Sequence, residues 1–166
     1  MRHDPDRLAT LKRLVILDSS PERAYDDIAS VLASGLDVPV TMVNLLDESR
    51  DWFKARVGVS VCETPAIGSF CQVMVQLPEA VIVVPDTTQD SRFSSNPFVT
   101  GEPHVRFYAA ARLTVAGQIV GTICAYDFKP RQLTEQQIEQ MRVLAEAATT
   151  LLEQRLTNPP ATLSTP

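Results

Sequence analysis

The segment Phe107–Asp127, FYAAARLTVAGQIVGTICAYD, decides the fold. Phe107, Ala109, Ala111, Leu113 and Val115 alternate with Tyr108, Ala110, Arg112 and Thr114, the period-two signature of a strand. Ala116-Gly117 suits a two-residue turn. Ile119 to Tyr126 then returns as the partner strand, so the unit reads as an antiparallel hairpin.

A second apolar, β-branched run precedes it at Val38–Leu46 and reads as a buried strand. Asp47–Arg50 is a turn, after which Phe53, Ala55 and Val57 alternate with Trp52, Lys54 and Arg56. That pattern predicts a strand with one face wetter than the other, and a second hairpin. Val81–Val84 is a further short strand closed by Pro85-Asp86. The remainder of Gly58–Glu102 is irregular, with a short helix over Phe70–Val75 capped by Ser69, whose spacing to Gln72 is that of a capping box. Asp90–Phe93 and Asn96-Pro97 read as loop or brief helical turns.

Helices flank these strands. Asp4 and Pro5 open the first, with Leu8, Leu11, Leu14, Val15 and Leu17 at helical spacing. Ser20 is the expected cap of the second, whose stripe is Tyr25, Ile28, Leu32 and Leu36. Thr134 and Gln137 box the last, which carries Ile138, Met141, Leu144, Ala145, Ala148, Leu151, Leu152 and Leu156. From pattern alone the fold class is α+β: a mixed sheet with helices on its flanks. Residues 1–156 make one domain, and 157–166, with three prolines and no charged side chain, are expected to be a disordered tail.

The 166-residue length suits one domain. Fifteen basic against twenty acidic residues leave a net charge of −5, without the basic footprint of a nucleic-acid binder. No window approaches a membrane span, and the N-terminus carries no apolar signal core. A cytoplasmic chain with three reduced thiols is therefore expected.

With the elements placed, the chain resembles a GAF domain of the bacterial group often found ahead of histidine kinases and diguanylate cyclases. The resemblance runs from about Arg7 to Arg155. It rests on Trp52-Phe53-Lys54, Glu63-Thr64-Pro65, Ser69-Phe70-Cys71, Asp86 with Arg92-Phe93 and Asn96-Pro97, Val99-Thr100-Gly101, Arg106-Phe107-Tyr108, and Gly121-Thr122 followed by Cys124 and Asp127. It implies a six-stranded antiparallel sheet, helices on one face, and a ligand-sized cavity under the irregular segment on the other. The chain departs from the group at Val73, where His is common, and over Arg106–Leu113, which lacks the group's Gly and Pro. The Asn-Lys pair of cyclic-nucleotide members is missing. Haem would need an axial His, and only His3 and His104 are present.

The expected function is a non-catalytic, small-molecule-binding sensory domain in signal transduction. Candidate ligand contacts are Trp52, Phe70, Cys71, Asp86, Arg92, Phe93, Asn96, Arg106 and Tyr108. Arg92 and Arg106 over a concave site would suit an anion. An Arg–Asp pair fastening the loop to the sheet is the preferred reading, and Trp52 and Tyr108 are equally compatible with sheet packing. No ligand or cofactor is named by the sequence.

A redox sensor or sulfoxide-reductase-like enzyme using Cys71, with Cys62 resolving, is the first alternative. Cys71 falls in a first helical turn, where backbone N–H groups favour a thiolate. Plain burial is preferred, since no Lys or Arg lies close in sequence. Cys124 reads as core. Cys62, Cys71, Cys124 and His104 lack structural-zinc spacing, so no metal is expected. The second alternative is a ligand-free interaction module. The expected partners are a small molecule, a signalling protein in trans, and a second copy meeting the terminal helices through Leu8, Leu11, Val15, Leu144 and Leu151.

Overall fold

The computed structural model describes residues 1–160, so 161–166 of the expected tail lie outside the described residues. The helices α1 (Pro5–Arg13) and α2 (Arg23–Leu36) lead into the hairpin of β1 (Val40–Leu46) and β2 (Arg50–Val57). Then come β3 (Glu63–Pro65), α3 (Phe70–Met74), β4 (Val81–Val84), a 3-10 turn at Thr87–Gln89 and α4 (Pro97–Thr100). The hairpin β5 (Phe107–Val115) and β6 (Gln118–Asp127) and the helix α5 (Glu135–Thr157) complete the chain.

The six strands form one sheet in the order β3-β2-β1-β6-β5-β4, and every pair is antiparallel. The sheet is therefore not mixed: the crossovers bring each strand back in the opposite sense. The β5–β6 turn has φ of 51° at Ala116 and 77° at Gly117, the left-handed pair a tight hairpin requires. Gly121 in β6 is demanded by proximity, since a Cβ there would stand 2.0 Å from the Asn44 carbonyl oxygen of β1.

Strand side chains sort into two cores. On one face Val43, Leu45, Trp52, Ala55, Ala109, Ala111, Leu113, Ile123 and Ala125 pack with Leu11 of α1, Tyr25, Ile28 and Leu32 of α2, and Met141, Ala148 and Leu152 of α5. On the other, Met42, Phe53, Tyr108, Ala110 and Cys124 meet Phe70, Cys71 and Met74 of α3, with Phe93, Val99 and Val105.

Four local expectations change. The alternation in β2 breaks at Lys54, because the β1–β2 register shifts between Val43 and Asn44. The resulting bulge sends Phe53 and Ala55 to opposite faces, and Asp51 to Ala55 are buried on both, leaving Arg56 as the exposed member of the strand. Lys54 is buried among the helices, where its Nζ donates to Ser19 Oγ (2.7 Å) and Ser20 O (2.6 Å) and pairs with Glu22 (2.6 Å). Glu22, not Ser20, stands at the N-cap of α2. Helix α1 stops at Arg13, and Val15 takes φ 49° and turns outward. The segment Glu63–Pro65 is a strand, not loop, and pairs with Arg50–Trp52.

Candidate ligand pocket

Ser69 caps α3 through its Oγ, which accepts from Gln72 N at 3.1 Å. The reciprocal half of the capping box is missing: Gln72 Oε1 accepts instead from Arg2 Nε at 2.8 Å. The cap therefore presents Phe70 and Cys71 to the sheet and ties α3 to the N-terminus.

Beneath α3 the space over β5 and β6 is filled. Phe70, Phe93, Tyr108 and Tyr126 stack as one aromatic cluster, with ring centroids 5.1 to 5.5 Å apart. Cys71 is fully buried beside it, its Sγ 3.0 Å from Thr122 Oγ1 and 3.2 Å from Tyr108 Oη. Burial pushes the Cys71 thiol up, but hydrogen bonds from Cys124, Thr122 and Tyr108 outweigh it and bring it below the ordinary thiol value. Burial and the adjacent Cys71 push Cys124 well up.

An open cavity of about 270 Å³ lies beside this cluster, over β1, β2 and β3. Val40, Met42, Phe53, Phe70, Val105 and Tyr126 supply most of its apolar wall. Val61 and Phe128, both half-exposed, flank the mouth. Asn44, Asp51 and Ser69 form a polar pole at one end. There Asp51 Oδ1 accepts from Arg2 Nη2 (2.7 Å), and Oδ2 accepts from Ser69 Oγ (2.5 Å) and Asn44 Nδ2 (3.3 Å). Arg2 is buried as well, and its Nη1 donates to Asp47 O (2.6 Å) and Arg50 O (3.0 Å). The N-terminal residues thus hold the back of the pocket.

Of the candidate contacts chosen from sequence, Phe70 lines this cavity. Cys71, Phe93 and Tyr108 belong to the filled half of the same face. Trp52 points to the helices, because its strand parity is opposite to that of Phe53. The expected polar contacts are spent locally. Asp86 accepts from Thr88 N (3.0 Å). Arg92 pairs with Asp90 (2.6 Å), inside the loop and not across to the sheet. Arg106 donates to Val99 O (2.9 Å). Asn96 caps α4 and donates to Gly68 O (2.9 Å). Arg112, the charge that replaces the resembled group's usual residue, donates to Leu77 O and Glu79 O at 2.5 Å. Cys62 is exposed, whereas Cys71 is buried. No group of three or more potential metal ligands occurs among the described residues.

Sequence reasoning missed Asn44, Asp51 and Arg2. One signal was available: Asn44 is the single amide in the apolar run Val38–Leu46. Buried polar groups in such runs are kept where they have a partner or a task.

An antiparallel sheet with three helices on one face and a small, mostly apolar pocket under short helices on the other defines a ligand-pocket α+β domain. The chain belongs to the GAF domain family, whose sequence pattern matches residues 20–152. A cyclic di-GMP phosphodiesterase of Pseudomonas aeruginosa is 36% identical over 126 residues, 75% of this chain, and the match spans 21% of that protein's length. The GAF domain of an Acinetobacter phosphoenolpyruvate-protein phosphotransferase superposes with TM-score 0.69 at 18% identity, covering 96% of this chain and 99% of the other. The blue-light-absorbing form of the Thermosynechococcus elongatus PixJ GAF domain gives 0.60 at 18% identity, covering 89% of each chain. These two structural likenesses carry the fold. No helix among the described residues is long and apolar enough to cross a membrane.

Proposed function

We propose that this chain is a non-catalytic sensory domain that binds a small molecule in the cavity over β1–β3 and passes the change to a signalling partner. The observation that carries the reading is the half-filled sheet face: an aromatic cluster packs one side of it and leaves an open, apolar-walled cavity on the other. Apolar walls with a few convergent polar groups are what small-ligand sites offer. The regulatory setting draws support from the Pseudomonas relative, a signalling enzyme by its name. Burial of Cys71 favours ligand binding over thiol chemistry, because a reacting partner would have no access to its sulfur.

The same reading includes a homodimer through the terminal helices. Leu11 is spent in the core, so the contact would use partly exposed Leu8, Leu144 and Leu151 and exposed Val15, with exposed Val31 and Val143 beside Leu144.

Native mass spectrometry of freshly purified protein tests both parts. The expected spectrum shows a dimer carrying a small-molecule adduct, and Val61→Trp at the mouth removes the adduct while leaving the dimer. Identical adducts in the wild type and the blocked variant would place the ligand elsewhere. A monomer at high micromolar concentration would remove the dimer.

A further inference from the structure

We propose that the cavity selects a small, largely apolar molecule that presents an N–H or O–H donor to Asn44 Oδ1 and carries no negative charge. This rests on the reading that the cavity takes a ligand, and it deepens that reading to a chemical class.

Asn44 is 1% exposed and stands on the pocket face of β1. Its Oδ1 is the one buried side-chain polar atom with no partner among the described residues. The amide cannot relieve this by turning over. Its Nδ2 donates to Asp51 Oδ2, and a flip would set the amide oxygen against that carboxylate. The fold therefore keeps a desolvated, unpartnered acceptor on a residue of the cavity wall, a costly arrangement unless something donates to it.

Charge narrows the class. Asp51 is the single charged side chain on the cavity wall, and no Arg, Lys or His lines it. Arg2, the cation paired with Asp51, is already shared among Asp51, Gln72, Asp47 O and Arg50 O, and Arg56 and Arg106 donate to the backbone carbonyls of Val59 and Val105. An anionic ligand would find no cation on the wall to offset its charge and would meet the Asp51 carboxylate, whose own charge Arg2 already balances, at low local dielectric. Size narrows it further. The volume of about 270 Å³ falls below the ~300–1,000 Å³ typical of drug-sized ligand sites, so one or two rings suit it. The aromatic rings of Phe53, Phe70, Phe98 and Tyr126 in the wall favour a flat body.

Calorimetric titration of the full chain with a matched probe set tests this. Indole supplies a ring N–H, benzothiophene and 1-methylindole have similar shape without it, and indole-2-carboxylate adds a negative charge. Indole is expected to bind about tenfold more tightly than benzothiophene or 1-methylindole, and the carboxylate is expected not to bind. In Asn44→Leu the neutral probes should bind alike. The wild-type ranking decides the case even if that variant fails to fold. Equal binding of indole and benzothiophene, or preferred binding of the carboxylate, overturns the donor-and-charge rule and leaves the pocket reading intact. Binding of none of the neutral probes overturns the pocket reading and this inference with it.

Discussion

The two faces of the sheet are built from the same strands, yet one is closed by long helices and the other by short ones. Helices α2 and α5, of 14 and 23 residues, lay continuous apolar stripes over β1, β2, β5 and β6. Helices α3 and α4, of 5 and 4 residues, cannot cover an equal area. Four aromatic rings fill part of the deficit and the rest remains open. A domain of this size can thus hold a rigid frame and a binding site back to back, because the frame's stability does not depend on filling the site.

Substitutions can break that comparison, beginning with the strand pair both faces share. Gly121→Ala should cost more than about 4 kcal/mol, since its Cβ would meet the Asn44 carbonyl of β1 at 2.0 Å. Loss of soluble, cooperatively folding protein would show it. A normal urea midpoint would mean that the β1–β6 spacing is looser than described.

Arg2→Ala comes next. It strands Asp51 without its cation at a position where both side chains are nearly inaccessible, 5% and 6% exposed. Breaking one partner of a buried pair typically costs ~3–5 kcal/mol. Chemical denaturation should register a loss of that order, whereas a change within error would make the N-terminal residues dispensable to the pocket.

The faces should also differ in their response to added volume. Ala148→Leu, on fully buried α5 surface, is expected to destabilise by ~1–3 kcal/mol through overpacking. Val61→Leu at the cavity mouth should stay within about 0.5 kcal/mol. Equal penalties from thermal unfolding would erase the distinction between a filled and an open face.

The smallest effect belongs to the helix side. Burial pushes the Glu22 carboxyl up, but Lys54 and Arg155 outweigh it and hold it below the usual carboxylate range. A depressed folded value means the contribution is present above the unfolded pKa and is lost as pH falls through the folded one. Glu22 is half-exposed, so the contribution should be under about 1 kcal/mol. Glu22→Gln should flatten the acid limb of a stability–pH curve below about pH 4; an unchanged limb would show the pair contributes nothing.

Much of the frame was legible because it depends on local rules. The hairpin turn at Ala116-Gly117, the caps at Asp4, Ser69 and Thr134, and the stripe of α2 each sit within a few residues of what they determine. The β3 strand was not legible, since Glu63-Thr64-Pro65 is too short to show alternation, has a single β-branched residue beside a proline, and pairs only at an edge. The bulge at Lys54 is set by a partner strand and leaves no trace in its own segment. The family resemblance implied a cavity under the irregular segment, where one lies, but its lining residues were less legible. Arginines at 92 and 106 suggested a polar lining, whereas loop carbonyls and Asp90 consume them. The pole that does line the cavity joins residues 44, 51 and 69, held from behind by residue 2, and only the folded chain brings these together.

The four methionines offer the most direct measurement. Met42 lines the cavity, Met74 lies in the filled half of the same face, and Met141 sits in the core under the helices. Proton–carbon spectra of protein labelled at the methionine methyl groups would be recorded while indole is added to saturation. A large shift of the Met42 methyl, a smaller one at Met74 and none at Met141 is the predicted result. An unmoved Met42 signal, or a Met141 shift as large as that of Met42, would contradict the division of the sheet into a closed face and a binding face.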